Sequence, residues 1–528
     1  MLQLLLGGSG SGKTTLLYQR IRARAEKGEK SILLVPEQFT SSTEGRIYRE
    51  LGDALSGMVE SFSFTSLAEK ILSTEGGAAV QTLSDAGRAV LVRRALEELQ
   101  DNVHYYHRHR RSAAFCQMAA QTIDELKSAG LSGQQLAQLA GACGAESGKL
   151  SELALIFQGY ETLLARSGMD PSDRLELAGA RLEEALARHS LPEFLRDRAV
   201  FIDEFDTFNA PKKRLLGAML AALPSVTVAL CDDGAPLLPD DLSLFSGAKQ
   251  VAAQLRQLAR KNGAEVAVPQ LLRKDLRHRN APGLAAVAEL LETGSCTADA
   301  PAGEVRLFAA PSREEEARAA AGAIRRLMRQ GVRCGKIAVV CRDIAKYRAA
   351  VRYEFRMAEI PLYCDEPTTP EFSAPATAVR ALLEIARGAD LTENLTTLAK
   401  TGLCALSEEQ VCALENYAYT WAPTAAAWRE KFERSPKGFG EQELTEEDLR
   451  NREQAEYARA LLVGAVDAFR AKVRGVNAEA ISRAVYFCLK TLGAEEQQAA
   501  QVEAIRAGRG IPAAEEAARE WKSEAKRS

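Results

Sequence analysis

Eight residues near the start of the chain have the types and the spacing that phosphate binding needs. The run Gly7-Gly8-Ser9-Gly10-Ser11-Gly12-Lys13-Thr14 fits the pattern G-x-x-x-x-G-K-[ST] in full. Small residues let successive backbone N–H groups face phosphate oxygens, and the N-terminus of a following helix adds partial positive charge. We predict that this run, with Thr15, binds ATP. The alternative is a flexible Gly/Ser turn.

Two residues of this run carry distinct chemical roles. In the pattern, Lys13 reaches the β- and γ-phosphates, and the Thr14 hydroxyl ligates Mg²⁺, which prefers oxygen ligands. Asp203 and Glu204 follow the apolar residues Phe201 and Ile202. If those apolar residues form a parallel strand, the two acids lie at the sheet edge where α/β proteins bind ligands. We predict that Asp203 holds Mg²⁺ and that Glu204 polarises the attacking water. The alternative is an acidic pair that ends a strand.

The elements that must position these residues follow from the apolar pattern. Leu2–Leu6 and Ser31–Val35 are short apolar runs, typical of strands buried on both faces, and a helical pattern closed by Gly28 lies between them. Strand, loop, helix and strand form a βαβ unit and predict a parallel sheet. Residues 199–202 and 226–230 predict further strands of that sheet, and residues 83–188 predict a helical insertion.

The second half of the chain repeats this organisation in part. Residues 296–303 are small and polar, which predicts a linker. Val305–Phe308 and Ile337–Val340 predict two more strands with an amphipathic helix between them, and the chain is helical from about residue 374.

Composition limits the functional classes. A net charge of −3 over 528 residues excludes a global attraction to nucleic acid, so any DNA contact must come from a local basic surface. The ten cysteines form no CxxC pair, which gives no sign of a zinc ribbon or a redox motif. Since no apolar stretch approaches the length of a membrane helix, we expect a cytoplasmic protein without membrane contact.

The order of the motifs resembles superfamily 1 helicases, and among them the AddB subunits of AddAB helicase–nucleases. Beyond the phosphate loop and the Phe201–Phe205 strand end, the resemblance rests on four further segments. They are Val35-Pro36-Glu37-Gln38-Phe39, the Ser61–Ala68 run, the Ile123–Gly130 helix and Asp170-Pro171-Ser172-Asp173.

The resemblance implies an α/β fold with two RecA-like lobes of the P-loop NTPase class, each carrying a large helical insertion. The implied segments are residues 1–80 and 195–290 for the first lobe, 81–194 for its insertion, 304–373 for the beginning of the second lobe and 374–528 for an incomplete second insertion. It also implies that Arg277 senses the γ-phosphate, for which a surface basic cluster is the alternative.

The resemblance further implies a function. The AddAB complex unwinds and degrades double-strand-break ends for homologous recombination. Its AddB-like member binds ATP and DNA, recognises Chi, and forms a heterodimer with an AddA-like motor. The family's C-terminal nuclease and its iron–sulfur cluster are not expected in this chain. The helicase motif D-E-x-Q-D reads Asp203-Glu204-Phe205-Asp206-Thr207 here, so the resemblance does not extend to the residues that couple ATP hydrolysis to movement. We expect slow ATP hydrolysis by the chain alone, because the second lobe, which supplies an arginine to the site in this family, begins at about residue 304 and is interrupted before its later motifs.

Other interpretations remain open. The Tyr105–Arg111 run interleaves aromatic and basic residues, which suits a nucleic-acid contact or a solvated helix start with inward tyrosines. A P-loop phosphotransferase or kinase is an alternative function, although the helical insertion and the second α/β unit disfavour it. A non-catalytic scaffold with a structural ATP site is another.

Overall fold

A computed structural model describes most of the chain. It covers residues 1–79, 81–142, 144, 147–295, 304–364, 373–389, 391–440 and 443–509. The chain divides into two compact units, Met1–Phe308 and Ala309–Ser528.

The first unit is built on a six-stranded, all-parallel sheet with the strand order β3-β2-β4-β5-β1-β6. The strands are β1 Leu2–Gly7, β2 Ser31–Leu34, β3 Val59–Phe62, β4 Ala199–Ile202, β5 Ser225–Cys231 and β6 Gln270–Leu272. Leu4 and Leu5 of β1 are both fully buried but belong to separate hydrophobic clusters on the two faces of the sheet. This arrangement explains why the strand reads as a continuous apolar run. The predicted α/β class is confirmed.

Helices cover both faces of this sheet and form the insertion. They are α1 Lys13–Ala25, α2 Thr40–Leu51, α3 Asp53–Ser56, α4 Phe64–Glu75, α5 Asp85–Glu98, α6 Ala113–Ser128, α7 Gly133–Ala140, α8 Ser147–Ser167, α9 Pro171–Ala187, α10 Ala210–Ala222, α11 Ser246–Lys261 and α12 Pro282–Thr293. Helices α5, α6 and α8 share a core of their own, whereas α9 packs on α4 and α10 in the main core. The predicted helical character of residues 83–188 is confirmed.

The described part of the second unit is helical. Its helices are α13 Arg313–Arg329, α14 Ile344–Met357, α15 Ala374–Arg387, α16 Leu391–Lys400, α17 Glu408–Trp421, α18 Glu446–Lys472, α19 Ala478–Thr491 and α20 Ala494–Arg509. Helices α15 to α19 share a core around the fully buried Trp428. Helices α13 and α14 pack through Ile324 and Phe355.

The prediction of two strands at the beginning of the second lobe is wrong. Val305–Phe308 and Ile337–Val340 are not strands in the structure, and no described residue forms a sheet ladder with them. Leu307 is fully exposed and Val340 is 91% exposed, so the apolar pattern exists without the partner strands that would bury it. The assignment of residues 304–373 to a second RecA-like lobe stays a prediction. The linker at 296–303, residues 365–372 and residues 510–528 lie outside the described residues. Among the helices that are described, none is long and apolar enough to cross a membrane.

Candidate nucleotide-binding site

The phosphate loop joins β1 to α1 at the carboxyl edge of the sheet. Gly10 and Gly12 have φ values of +81° and +90°, a backbone region that glycine enters without strain. The first N–H groups of α1, as in any helix, have no intrahelical acceptor, and Gly12, the N-cap, has no side chain that could accept from them. The Ser11 hydroxyl is buried and has no hydrogen-bond partner among the described residues. These groups fit an anionic ligand such as a nucleotide phosphate.

Lys13 folds back over the loop. Its Nζ donates hydrogen bonds to the carbonyl oxygens of Gly7 at 2.7 Å and Gly8 at 2.8 Å. Burial lowers the pKa of Lys13, and the nearby thiol of Cys231 and carboxyl of Asp203 oppose that shift. The ammonium therefore lies within the loop, beside the N-terminus of α1.

Asp203 directly follows β4 and lies next to Thr14 in the first turn of α1. Its backbone N–H continues the ladder to the Leu34 carbonyl, and its side chain is 6% exposed. Burial raises the pKa of Asp203, while a hydrogen bond from the Thr14 side chain opposes the rise. Thr14 and Asp203 were predicted as the magnesium ligands, and the structure brings their oxygens together. Oxygen donors of this kind fit Mg²⁺.

Glu204 leaves the strand in an unusual backbone conformation. Its φ is +65°, a region that non-glycine residues rarely adopt and that concentrates at functional sites. Its N–H donates to the Asp203 carboxylate at 3.0 Å. Burial raises the pKa of Glu204, the charge of Asp203 raises it further, and Arg46 lowers it.

Arg46 of α2 completes this side of the site and was not identified from the sequence. Its guanidinium lies 5.0 Å from the ring centroid of Tyr18, a residue of α1. Burial raises the pKa of Tyr18 to about 12, so the ring is neutral and offers its face to the cation.

The segment that contains Arg277 crosses the phosphate loop. The Leu276 N–H donates to the Gly10 carbonyl at 3.0 Å, and Arg277 Nη1 donates to the Ser9 hydroxyl at 3.1 Å. Asp275 accepts hydrogen bonds from the N–H groups of Arg277 and His278, which fixes the turn. Arg277 is therefore held against the loop, at a position from which it can contact a bound phosphate.

These groups line one cavity of about 460 Å³. Its lining includes the predicted residues Lys13, Thr14, Thr15, Glu204 and Arg277. Asp203 does not line this cavity but lies next to Thr14. Two lining residues that the sequence analysis missed are Arg46 and Cys231. Cys231 is the last residue of β5 and pairs in register with Gly7 of β1. Its position at the carboxyl edge of the sheet could have been predicted, because it directly follows the predicted strand at 226–230. No comparable signal exists for Arg46, because an arginine on an amphipathic helix is usually a surface residue.

The Tyr105–Arg111 run lies away from this site and shows features of both interpretations. Tyr106 packs against the core of the insertion, whereas Tyr105 is 56% exposed with Lys149 Nζ 5.3 Å from its ring centroid. The Glu152 carboxylate accepts hydrogen bonds from the N–H groups of residues 104, 105 and 106. The question of a nucleic-acid contact there stays open.

The family model described as "ADDB, N-terminal" matches residues 4–288, more than half of the chain and nearly all of the first unit. The chain belongs to the AddB family. The match covers the phosphate loop, the Asp203–Glu204 pair and Arg277, so the site described above lies wholly within the part of the chain that defines membership.

Curated relatives extend the similarity beyond residue 288. The chain is 32% identical to the B subunit of the ATP-dependent helicase/deoxyribonuclease of Desulforudis audaxviator over 446 residues, covering 81% of this chain and 37% of the relative. It is 30% identical to the protein of the same name from Heliobacterium modesticaldum over 540 residues, covering 96% of this chain and 43% of the relative. This AddB-family chain therefore spans about two fifths of the length of the relatives that it matches.

Proposed function

We propose that this AddB-family chain is the ATP-binding, DNA-handling part of one subunit of a heterodimeric helicase–nuclease that processes double-strand-break ends. The observation that supports this proposal best is the convergence of Lys13, Thr14 and Glu204 on one cavity at the carboxyl edge of a parallel sheet, with Asp203 next to Thr14. The similarity to proteins named as B subunits of helicase/deoxyribonucleases supplies the rest of the proposal.

Each residue has a role in binding. The N–H groups at the start of α1 and the Lys13 ammonium contact the β- and γ-phosphates of ATP. The Thr14 hydroxyl and the Asp203 carboxylate hold Mg²⁺, which neutralises phosphate charge when bound. Glu204 orients and polarises the attacking water, and Arg277 contacts the γ-phosphate.

The proposal also places the chain in a larger assembly. The partner is an AddA-like motor protein, the substrates are duplex DNA ends and the single strands derived from them, and Chi recognition by the AddB-like member follows from the family resemblance. In such sites a second RecA-like lobe supplies arginines that increase the rate about 10³- to 10⁵-fold. The described residues form only one sheet, that of the first unit, so we expect slow hydrolysis by the chain alone.

The decisive experiment is Lys13→Ala. We expect the substitution to abolish Mg-ATP binding, measured by isothermal calorimetry, while the melting temperature without nucleotide stays within a few degrees of the wild type. The reason is that Lys13 supplies charge-assisted hydrogen bonds to phosphate and contributes only loop contacts otherwise. Arg49→Ala, an exposed cation on α2, is the matched control. Equal ATP affinity in wild type and Lys13→Ala would refute the assignment of the site.

The same protein separates the alternative functions. Slow ATP turnover that single-stranded DNA stimulates supports the helicase–nuclease reading. Turnover on a small acceptor supports a phosphotransferase, and ATP-dependent melting without any turnover supports a scaffold. Turnover of several per second by the chain alone contradicts the proposed dependence on a second lobe.

A further inference from the structure

A segment with an excess of positive charge covers α13, α14 and the residues between them. Residues 313–360 contain twelve Lys or Arg and six Asp or Glu, in a chain whose net charge is −3. Ten of the twelve cations are arginine, whose planar guanidinium binds phosphate with two parallel hydrogen bonds. This region is therefore the local basic surface that a nucleic-acid contact requires.

Three of these arginines form a row on α14. Arg348, Arg352 and Arg356 stand at positions i, i+4 and i+8, so they lie on one face of the helix and span roughly 12 Å along it. All three are exposed. We call this row the arginine stripe. Like charges at this spacing repel each other, so the helix keeps the row against a local electrostatic cost.

Glu354, the acidic residue next to Tyr353 on α14, does not pair with Arg352 or Arg356. Glu354 is buried on the opposite side, where it accepts hydrogen bonds from Arg318 at 3.0 and 3.2 Å. Arg352 and Arg356 form no ion pair with any residue in the part of the chain that the structure describes.

An aromatic ring flanks the stripe. Tyr353 follows Arg352 directly, is 53% exposed, and makes no ring contact or hydrogen bond within the described ranges. Exposed rings beside cations are how proteins hold single strands, because an unpaired base stacks on the ring while its phosphates meet the cations. Bases within a duplex are paired and stacked on each other, so they cannot use such a ring.

We propose that the arginine stripe and Tyr353 bind single-stranded DNA, with guanidinium groups on phosphates and the Tyr353 ring on a base. The inference rests on the proposed function in that DNA is the ligand, and it adds a binding location on α14 of the second unit.

The test uses the full chain and a fluorescent oligonucleotide, with affinity measured by anisotropy at several salt concentrations. Arg352→Ala/Arg356→Ala should weaken binding to the single strand about 10-fold or more at low salt. It should also reduce the slope of log affinity against log salt by about 1.4, since each phosphate contact on a single strand contributes about 0.7. Tyr353→Ala should weaken single-strand binding about 5-fold or more and leave duplex binding unchanged, whereas Tyr353→Phe should behave as wild type.

The matched control is Arg387→Ala/Arg483→Ala, which removes the same charge from side chains that are 78% and 68% exposed in the same unit. An equal loss in this control shows a general charge effect and overturns the proposal. Unchanged affinity in the stripe variant, or an equal loss for single strand and duplex in Tyr353→Ala, also overturns it. Failure of the wild type to bind any DNA refutes the DNA-handling function itself.

Discussion

The environment of the Asp203 carboxyl disfavours its ionised form. The carboxyl is buried at the end of β4, and burial raises its pKa even though the Thr14 side chain donates a hydrogen bond to it. A carboxyl whose pKa is higher in the folded than in the unfolded chain destabilises the fold once both states have ionised, that is, at neutral pH. The protein therefore keeps Asp203 at some cost in stability, as functional sites commonly do.

Asp203→Asn tests this trade-off. The asparagine keeps one oxygen acceptor for the Glu204 N–H, and its NH2 group can donate to the Thr14 hydroxyl, but the buried charge is removed. We expect a higher melting temperature at pH 7 in the absence of nucleotide and a loss of Mg²⁺-dependent ATP affinity. The stability gain should shrink as the pH falls through the raised pKa of Asp203, because the wild type is then neutral as well. Differential scanning calorimetry from pH 4 to pH 8 measures the first effect, and titration with ATP with and without Mg²⁺ measures the second. An unchanged or lower melting temperature at pH 7 contradicts the argument.

Arg46 makes a second prediction at the scale of single residues. It lines the same cavity as Lys13 and Glu204, and the Tyr18 ring holds its guanidinium in place. We expect Arg46→Ala to weaken ATP binding about 10-fold or more with a smaller effect on ADP, since a charge-assisted hydrogen bond contributes about 1.5–3 kcal/mol. The measurement is the ratio of ATP to ADP affinity, with Arg49→Ala of the same helix as control. An equal loss for both nucleotides would show that Arg46 only supports the fold.

The residues of the site differ in how far the sequence could predict them. Lys13 and Thr14 belong to a contiguous pattern whose spacing is set by phosphate geometry, and Asp203 follows an apolar strand. Arg46 comes from a helix without a motif, and only the packing of α2 against α1 brings it to the cavity. A single sequence carries no signal for such a long-range approach.

At the scale of elements, a buried charge cluster joins the helical insertion to the main core. Lys127 of α6 donates to Asp170 at 2.7 Å and to Asp173 at 2.8 Å, at the start of α9. The Tyr160 hydroxyl of α8 donates to Asp170 at 2.6 Å. Two of the segments that carry the family resemblance, the Ile123–Gly130 helix and Asp170–Asp173, are therefore in direct contact.

We expect Lys127→Ala to destabilise the protein by about 3–5 kcal/mol, because it leaves Asp170 buried without its cation. Urea unfolding, read by circular dichroism, measures the change, and Arg94→Ala on α5 is a control that should cost less than about 1 kcal/mol because its ion pair is exposed. A loss below about 1 kcal/mol for Lys127→Ala would mean that water or rearrangement compensates Asp170.

The strands show where apolar pattern suffices and where it fails. The strands β1, β2, β4 and β5 were predicted because each is buried on both faces and reads as an apolar run. Neither β3, with Glu60 and Ser61 at its centre, nor the three-residue β6 has such a run. Conversely, Ile337–Val340 has the run but no strand partner among the described residues, since a strand needs a neighbour as well as a pattern.

At the scale of the whole molecule, this unpaired segment has a consequence for solution behaviour. Val340 is 91% exposed and Val339 is 49% exposed in the second unit, on a segment that is neither helix nor strand. Exposed apolar segments of this kind promote association. We expect Val340→Lys to raise the protein concentration at which light scattering first increases, with Mg-ATP affinity unchanged because the nucleotide site lies in the first unit. Identical scattering curves would show that the segment is covered in solution.

The place of β1 in the sheet affects how the protein is made. Its two neighbours are β5, residues 225–231, and β6, residues 270–272. Strand β1 is therefore synthesised first of the six strands, but both of its partners are synthesised only after β2, β3 and β4. At roughly 5–20 residues per second, the nascent chain carries an unpaired Leu2–Gly7 for about 10–45 s. The phosphate loop that follows it is unformed for the same interval. Substitutions in Leu2–Gly7 should therefore change the yield of folded protein during synthesis more than they change the stability of the finished chain.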